Sequence, residues 1–343
     1  MAPRPRSAAA VVALSALAVL GGCGGTNRSG PPGPTGSNPA TAVIASPTAR
    51  RSTPPPDPAR VGANELGQVP ILMFHQVVAA PRSDFDISPT DFRSLLDNLA
   101  AQHYVPVTAA DYATGRIDIP AGSSPVVLTF DDATRSQFAL GARGEVAPLC
   151  AVGILLEVAA RHPGFTPVAT FYLNEHPFGQ SHPATYLTWL ISHHFDLGNH
   201  TLTHANLRQL GAAGVQTELA GEQREITAAA PGYSVTTMAL PFGATPIQGS
   251  LAHLGSSAAG SYDYRAVMLV GANPAPSPYA ASADVQVPRI RAASLSVPFD
   301  AHFWLPRLAR SRYVSDGDPA HISFPKAAGA KLAVAEVSRA RPY

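Results

Sequence analysis

Cysteine is nearly absent from this 343-residue chain, which has only Cys23 and Cys150. Two thiols cannot build the disulfide framework that holds small secreted domains together. Charge is sparse as well, at 14% of residues with a net of +1. No basic surplus points to nucleic acid, and no acidic tail points to a solvating segment. The apolar run that opens the chain, residues 7–20, is too short to cross a bilayer, which takes about 20 residues. No internal repeat is visible. What the chain does have is 45% hydrophobic residues, enough for one sizeable domain, and 34 prolines clustered near the start.

The first 22 residues read as a signal peptide. Arg4 and Arg6 give a basic start, and "SAAAVVALSALAVL" has the length of a signal-peptide core. "LGGC" follows and ends at Cys23, and it resembles a bacterial lipobox. That resemblance implies cleavage before Cys23 and lipidation of its thiol, which leaves Cys150 without a partner. Cys150 opens the apolar helical pattern "CAVGILLEVAA" and reads as a buried core thiol. Residues 23–65 mix Gly, Ser, Thr and Pro with no apolar period, as in "SGPPGPTGSNPA" and "STPPPDPAR". Such composition buries no core and stays extended. The expected organisation is a lipidated Cys23, a tether to residue 65 and a domain over 66–343. Such a protein stands at the outer side of a membrane, in the cell envelope.

From Val69 onward, short apolar runs alternate with longer helical patterns. Strands are predicted over 69–74, 104–108, 125–130, 167–173, 195–199, 236–240, 264–270 and 285–292. Helices are predicted over 88–102, where Ser88 is cap-like, and over 152–162, 185–194 and 215–230. Continuous apolar strands alternating with helices argue an α/β fold with a parallel sheet covered by helices. Seven or eight such units in about 220 residues fit a barrel better than an open sheet. Parallel α/β folds carry their chemistry at the carboxyl ends of the strands.

Polar residues stand at those ends. "ILMF" is followed by His75, "VVLTF" by Asp131 and Asp132, "ATFYL" by Asn174, "FDLGN" by His200, and "TTMAL" by "PFG". Neighbouring strand residues point to opposite faces, so Asp131 and Asp132 suit two tasks. One can bind a metal while the other handles a proton. "HTLTH" offers His200 and His204, which could chelate one ion if the segment turns helically. Two imidazoles and one carboxylate suit Zn²⁺ and leave room for water and substrate. Taken singly, each feature has a plainer reading, as a helix cap or a chance pair of surface histidines.

Together these residues resemble the polysaccharide deacetylase family, with its NodB homology domain (carbohydrate esterase family 4). "TFDD" at 129–132 is similar to its first motif, "HTLTH" at 200–204 to its second, and "LPFG" at 240–243 to the tail of its third. "VPILMFHQV" and "VPRI" resemble the opening and closing strands of the branch that deacetylates poly-N-acetylglucosamine. The resemblance implies a deformed (β/α) barrel of about seven strands that hydrolyses N-acetyl groups of amino sugars. It implies a divalent metal ion, Zn²⁺ being the expected one, held by Asp132, His200 and His204, with Asp131 as general base. Pro241, Phe242 and Gly243 would contact substrate, and Thr201 would support the second motif. The expected partners are an N-acetylated envelope polysaccharide and, through the lipid, a membrane; the protein is expected to be a monomer that binds no nucleic acid.

The sequence departs from that family in three places. Ala133 stands where glycine is usual. Ala239 holds the third motif's arginine position, so the group that orients the base must come from elsewhere. Arg289 and Arg291 share a face of the last predicted strand, and either could approach Asp131. The closing motif with its histidine is missing. His75 is the substitute general acid or else a strand-end histidine with no catalytic part. An O-acetyl ester hydrolase and a silent glycan-binding lipoprotein are the competing functions. Cys23→Ala is expected to release the protein from membranes or block its processing. An unmodified Cys23 thiol in the mature protein, seen by mass spectrometry, contradicts the lipoprotein reading.

Overall fold

The computed structural model describes residues 56–343; the signal peptide, Cys23 and the tether as far as residue 55 lie outside the described residues. Nine parallel strands make the main sheet: β1 (Ile71–Phe74), β2 (Tyr104–Val107), β3 (Ser124–Phe130), β4 (Thr170–Leu173), β5 (Asp196–Asn199), β6 (Thr237–Ala239), β7 (Ala266–Met268), β8 (Gln286–Val287) and β9 (Ile290–Arg291). Their order is β8-β7-β6-β5-β4-β3-β1-β9, with β2 paired to the first half of β3. Five helices of eight residues or more lie in the same stretch: α1 (Pro89–Ala101), α2 (Ala151–Arg161), α3 (Ala184–Ser192), α4 (Ala212–Ala229) and α5 (Ala301–Leu308). Ser88 caps α1 as its position suggests, its hydroxyl accepting from the Asp91 N–H at 3.0 Å. Cys150 is a buried free thiol at the start of α2.

Every residue of β1, β3, β4, β5 and β6 is buried, because a parallel sheet is covered on both faces. Alternation sorts their side chains into two cores. Leu72, Phe74, Val126, Leu128 and Phe130 pack outward against the helices. Ile71, Val127, Tyr172, Ala239 and Met268, from five different strands, meet one another inside. Asp131 has the parity of Val127 and Thr129, so it extends the inward row. Phe74 and Phe130 are register partners, so β1 and β3 end level. The Asp131 N–H donates to the Phe74 carbonyl at 3.0 Å, which brings His75 and the two aspartates to one rim.

The last predicted strand, 285–292, is not one strand. Pro288 has no N–H to give a ladder and splits it. β8 pairs with β7 at one end of the sheet order, and β9 pairs with β1 at the other. Three residues of chain, Val287 to Ile290, reach at most roughly 11 Å. The two ends of the sheet must therefore meet there, curling it into the deformed barrel. Arg289 stands in the break. The split turns the eight predicted segments into nine strands.

The domain also begins earlier than composition suggests. Composition places residues 58–65 in the tether, yet Asp57 caps a short helix, Pro58–Val61, and Glu65 is buried. The Glu65 carboxylate accepts from the Tyr313 hydroxyl at 3.0 Å and the Ser323 N–H at 2.8 Å. Those partners lie some 250 residues away in sequence, and local periodicity carries no trace of them.

Candidate metal centre and active site

A cleft of about 430 Å³ opens at the carboxyl ends of β1, β3 and β5 and is lined by His75, Asp131, Asp132, His200, His204 and Phe242. The ligand atoms of Asp132, His200 and His204 all lie within 4.8 Å of one another. Asp132 Oδ1 is 3.4 Å from His200 Nε2 and 3.2 Å from His204 Nε2. Asp132 leaves the strand with φ +72°, which turns its carboxylate away from the inward row and toward the two imidazoles.

The histidines are not on a helix. Thr201 and His204 both have positive φ, at +65° and +55°, so "HTLTH" is a tight turn. Asn199 builds it from below. Its Oδ1 accepts from the Thr201 N–H at 2.8 Å, and its Nδ2 donates to the Leu219 carbonyl and the Tyr264 hydroxyl. The Thr201 hydroxyl accepts from the Ala205 N–H at 3.0 Å, which ties the turn together. His200 Nδ1 lies 2.9 Å from the Ala239 carbonyl, which can only accept. Nδ1 therefore carries a proton, and Nε2 is the nitrogen that faces Asp132.

Asp131 has a different environment. It is 1% exposed, and its two oxygens accept from Arg289 Nη1 and Nη2, each at 2.7 Å. Arg289 is fully buried. Its Nε donates to the Leu269 carbonyl at 2.9 Å, Nη1 also reaches the Thr129 hydroxyl at 3.1 Å, and the Tyr172 ring lies 5.6 Å away. Burial pushes the Asp131 carboxyl up, but Arg289 and His200 outweigh it and hold the group below the usual carboxylate range. Asp132 is likewise held low: burial raises it, and the two histidine contacts more than reverse that. Both aspartates are thus held as carboxylates, one clamped by the Arg289 cation and one set against two imidazoles.

Of the two arginines only Arg289 reaches Asp131. Arg291 pairs instead with Asp84 and lies over the Phe85 ring at 4.5 Å. Ala239 contributes only its carbonyl. His75 faces the cleft, with Nε2 3.9 Å from Asp131 Oδ2 and its ring 4.7 Å from Phe85. Its Nδ1 is buried without a partner. Burial pushes its pKa down despite the nearby carboxylates. Of the "PFG" turn, only Phe242 reaches the cleft; it is 67% exposed and meets the His204 ring edge-on at 4.7 Å. Pro241 is buried, and Gly243 has φ +64° with Val270 packed close, so these two shape the turn. Asn174, also at a strand end, lines a different cleft. Ala133 adopts φ +43° where glycine was expected.

Sequence reading passed over Asn199, Gln137 and Gly198. Asn199 sits directly before His200, and a buried polar residue at a strand end was the available signal. Gln137 is fully buried and its amide donates to the carbonyls of both His75 and Asp131, tying the two rims together. A Cβ on Gly198 would lie 2.3 Å from the Tyr172 ring, so glycine there lets Tyr172 stand beside Arg289. Nothing local marks either role.

Residues 165–255 match the family model for polysaccharide deacetylase. A comparison with curated protein sequences finds no match. Among solved structures, BA0330 from Bacillus anthracis, described as a polysaccharide deacetylase, aligns with a TM-score of 0.50 at 19% identity, over 71% of this chain and 68% of that one. PplD, a deacetylase of Streptococcus pyogenes solved with acetate, gives 0.48 at 18%, over 66% and 92%. IcaB from Ammonifex degensii gives 0.44 at 19%, over 66% and 93%. At such identity the likeness to BA0330 establishes the fold.

Arg289→Met leaves Asp131 buried and unpaired, and breaking such a pair typically costs about 3–5 kcal/mol at neutral pH. The deficit should shrink as pH falls: first as the unpaired Asp131 of the variant takes up a proton above the ordinary range near 4, then as the paired Asp131 of the wild type does so below it. Denaturant unfolding of both proteins across that range measures this, and a pH-independent deficit contradicts the pairing.

Proposed function

We propose that this chain, whose residues 165–255 match the polysaccharide deacetylase family model, removes N-acetyl groups from an amino-sugar polysaccharide of the cell envelope. The observation that carries the mechanism is the unlike surroundings of two adjacent carboxylates. Asp131 is tied by both oxygens to Arg289, and Asp132 faces the Nε2 atoms of two histidines.

The donor set fits a divalent cation. Three ligand atoms of suitable type converge, and His200 is fixed in the tautomer that leaves Nε2 free. Asp132, His200 and His204 would hold it, and two imidazoles with one carboxylate favour Zn²⁺. When bound, such an ion supplies Lewis acidity, acidifying water and drawing charge from a carbonyl oxygen. The protein's own groups do the rest. Arg289 keeps Asp131 anionic and fixes its plane, so Asp131 accepts the proton of the attacking water. His75, with Nε2 3.9 Å from Asp131 Oδ2, would take that proton from Asp131 and pass it to the amide nitrogen as it leaves as an amine. Phe242 stands exposed beside His204, where a sugar ring can lie against it. The "LGGC" leader sequence supports placing this activity outside the cytoplasm, tethered to a membrane through Cys23.

Two substitutions separate the aspartates. Asp131→Asn keeps size and removes the proton acceptor, so turnover should fall about 10²–10⁴-fold with metal content unchanged. Asp132→Asn should lose metal and turnover together. Acetate release and metal content are measured side by side on N-acetylated and O-acetylated glycans. Turnover confined to O-acetyl substrates would make the protein an ester hydrolase, and none in the wild type would make it a silent glycan binder. Loss of metal from Asp131→Asn with retention in Asp132→Asn would reverse the two roles.

A further inference from the structure

Behind the metal-ligand turn lies a second concavity, of about 500 Å³, between α3 and α4. Leu202, in the middle of "HTLTH", lines it, while His200 and His204 face the other way into the first cleft. Leu173, Leu187 and Ile226 complete an apolar floor; Glu175, Glu222 and Glu225 are its acids.

Glu222 breaks the pattern of its helix. The inward stripe of α4 runs Val215, Leu219, Glu222, Ile226, at helical spacing, so a glutamate takes a core position. It is 3% exposed. Other buried acids here are hydrogen-bonded: Glu65 to Tyr313 and Ser323, Asp131 to Arg289, Asp196 to Thr170, Asp300 to the Phe303 N–H, and Asp316 to Ser323. Among the described residues no hydrogen bond or ion pair reaches the Glu222 carboxyl. The charges that act on it are three more glutamates, Glu225, Glu218 and Glu175, and burial together with these pushes its pKa well up. Glu218 is occupied by Thr203, and Glu175 faces His176 at 3.4 Å; His182 also lies at the wall. With no protein partner, the Glu222 carboxyl opens on the concavity, and local rules are broken where function requires it.

We propose that this concavity binds a small organic cation, a primary ammonium on a compact partly apolar body, with the ammonium on Glu222. The cavity is too large for a bare ion, and its glutamates do not converge as ligands do: among the described residues only Asp132, His200 and His204 form such a group. The apolar floor takes a carbon skeleton, and the acids repel anions. The ammonium could come from a deacetylated amino-sugar unit or from a free amine. The proposal does not depend on the deacetylase reading.

The test is calorimetric binding of methyl glucosaminide, cyclohexylamine and methyl N-acetylglucosaminide to the full-length protein and to Glu222→Gln, Glu222→Leu and His204→Ala. At least one of the two amines should bind wild type and His204→Ala alike and weaken about tenfold or more in Glu222→Gln, the scale of a charge-assisted hydrogen bond. The acetylated sugar should not bind there. Glu222→Leu completes the apolar stripe and should raise the melting temperature while abolishing binding. Preference for the glucosaminide assigns a polymer-derived ligand, and preference for cyclohexylamine a free amine. The proposal is overturned if neither amine binds, if Glu222→Gln binds as wild type does, or if binding is lost only in His204→Ala. A lower melting temperature in Glu222→Leu with binding intact would make Glu222 structural and overturn it equally.

Discussion

Inside the barrel the Arg289 guanidinium and the Asp131 carboxylate meet through two hydrogen bonds of 2.7 Å each, both groups out of water. Coulomb attraction alone does not justify burying such a pair, because desolvating two charges costs several kcal/mol per ion. The geometry around it reduces that cost. Arg289 is satisfied at Nε by the Leu269 carbonyl and again at Nη1 by Thr129, and Tyr172 stands beside its plane. The break at Pro288 that closes the sheet also delivers Arg289 to the interior. Closure of the barrel and orientation of Asp131 are therefore the same structural event.

That pairing divides the labour between adjacent aspartates. With both oxygens held, Asp131 is fixed in place and charge, and only Asp132 is free to swing toward the histidines. The swing needs a left-handed backbone at Asp132, and further left-handed residues follow at Ala133, Thr201, His204 and Phe242. Such conformations cost of order 1–3 kcal/mol each and persist where packing over-determines them. Asn199, Gln137 and Gly198 supply that packing.

Much of this was legible in the sequence because parallel strands are read directly. Each of the eight predicted segments contains strand residues at the expected place, and the strand-end rule put His75, Asp131, Asp132 and His200 on one rim. The rest depended on long-range pairing. Pro288 looked like one residue within a strand, and only the sheet order shows that it separates two edges. Arg289 and Arg291 are equivalent by periodicity; the long-range contacts separate them, Arg289 on Asp131 and Arg291 on Asp84 against Phe85. The metal turn looked helical from its i, i+4 histidines, and the Asn199 side chain makes it a turn instead. Glu65 belongs to the fold through residues near the far terminus, which no window of local composition can see.

The central claim is that one ion sits among Asp132, His200 and His204 while Asp131 stays on Arg289. Crystals grown with zinc and measured at wavelengths on either side of its absorption edge test this most directly. The account predicts a single anomalous peak at roughly 2.0–2.2 Å from one Asp132 oxygen and from both Nε2 atoms, with Asp131 still paired to Arg289. A peak bound by Asp131, or an Arg289 side chain released from the barrel interior, would contradict it.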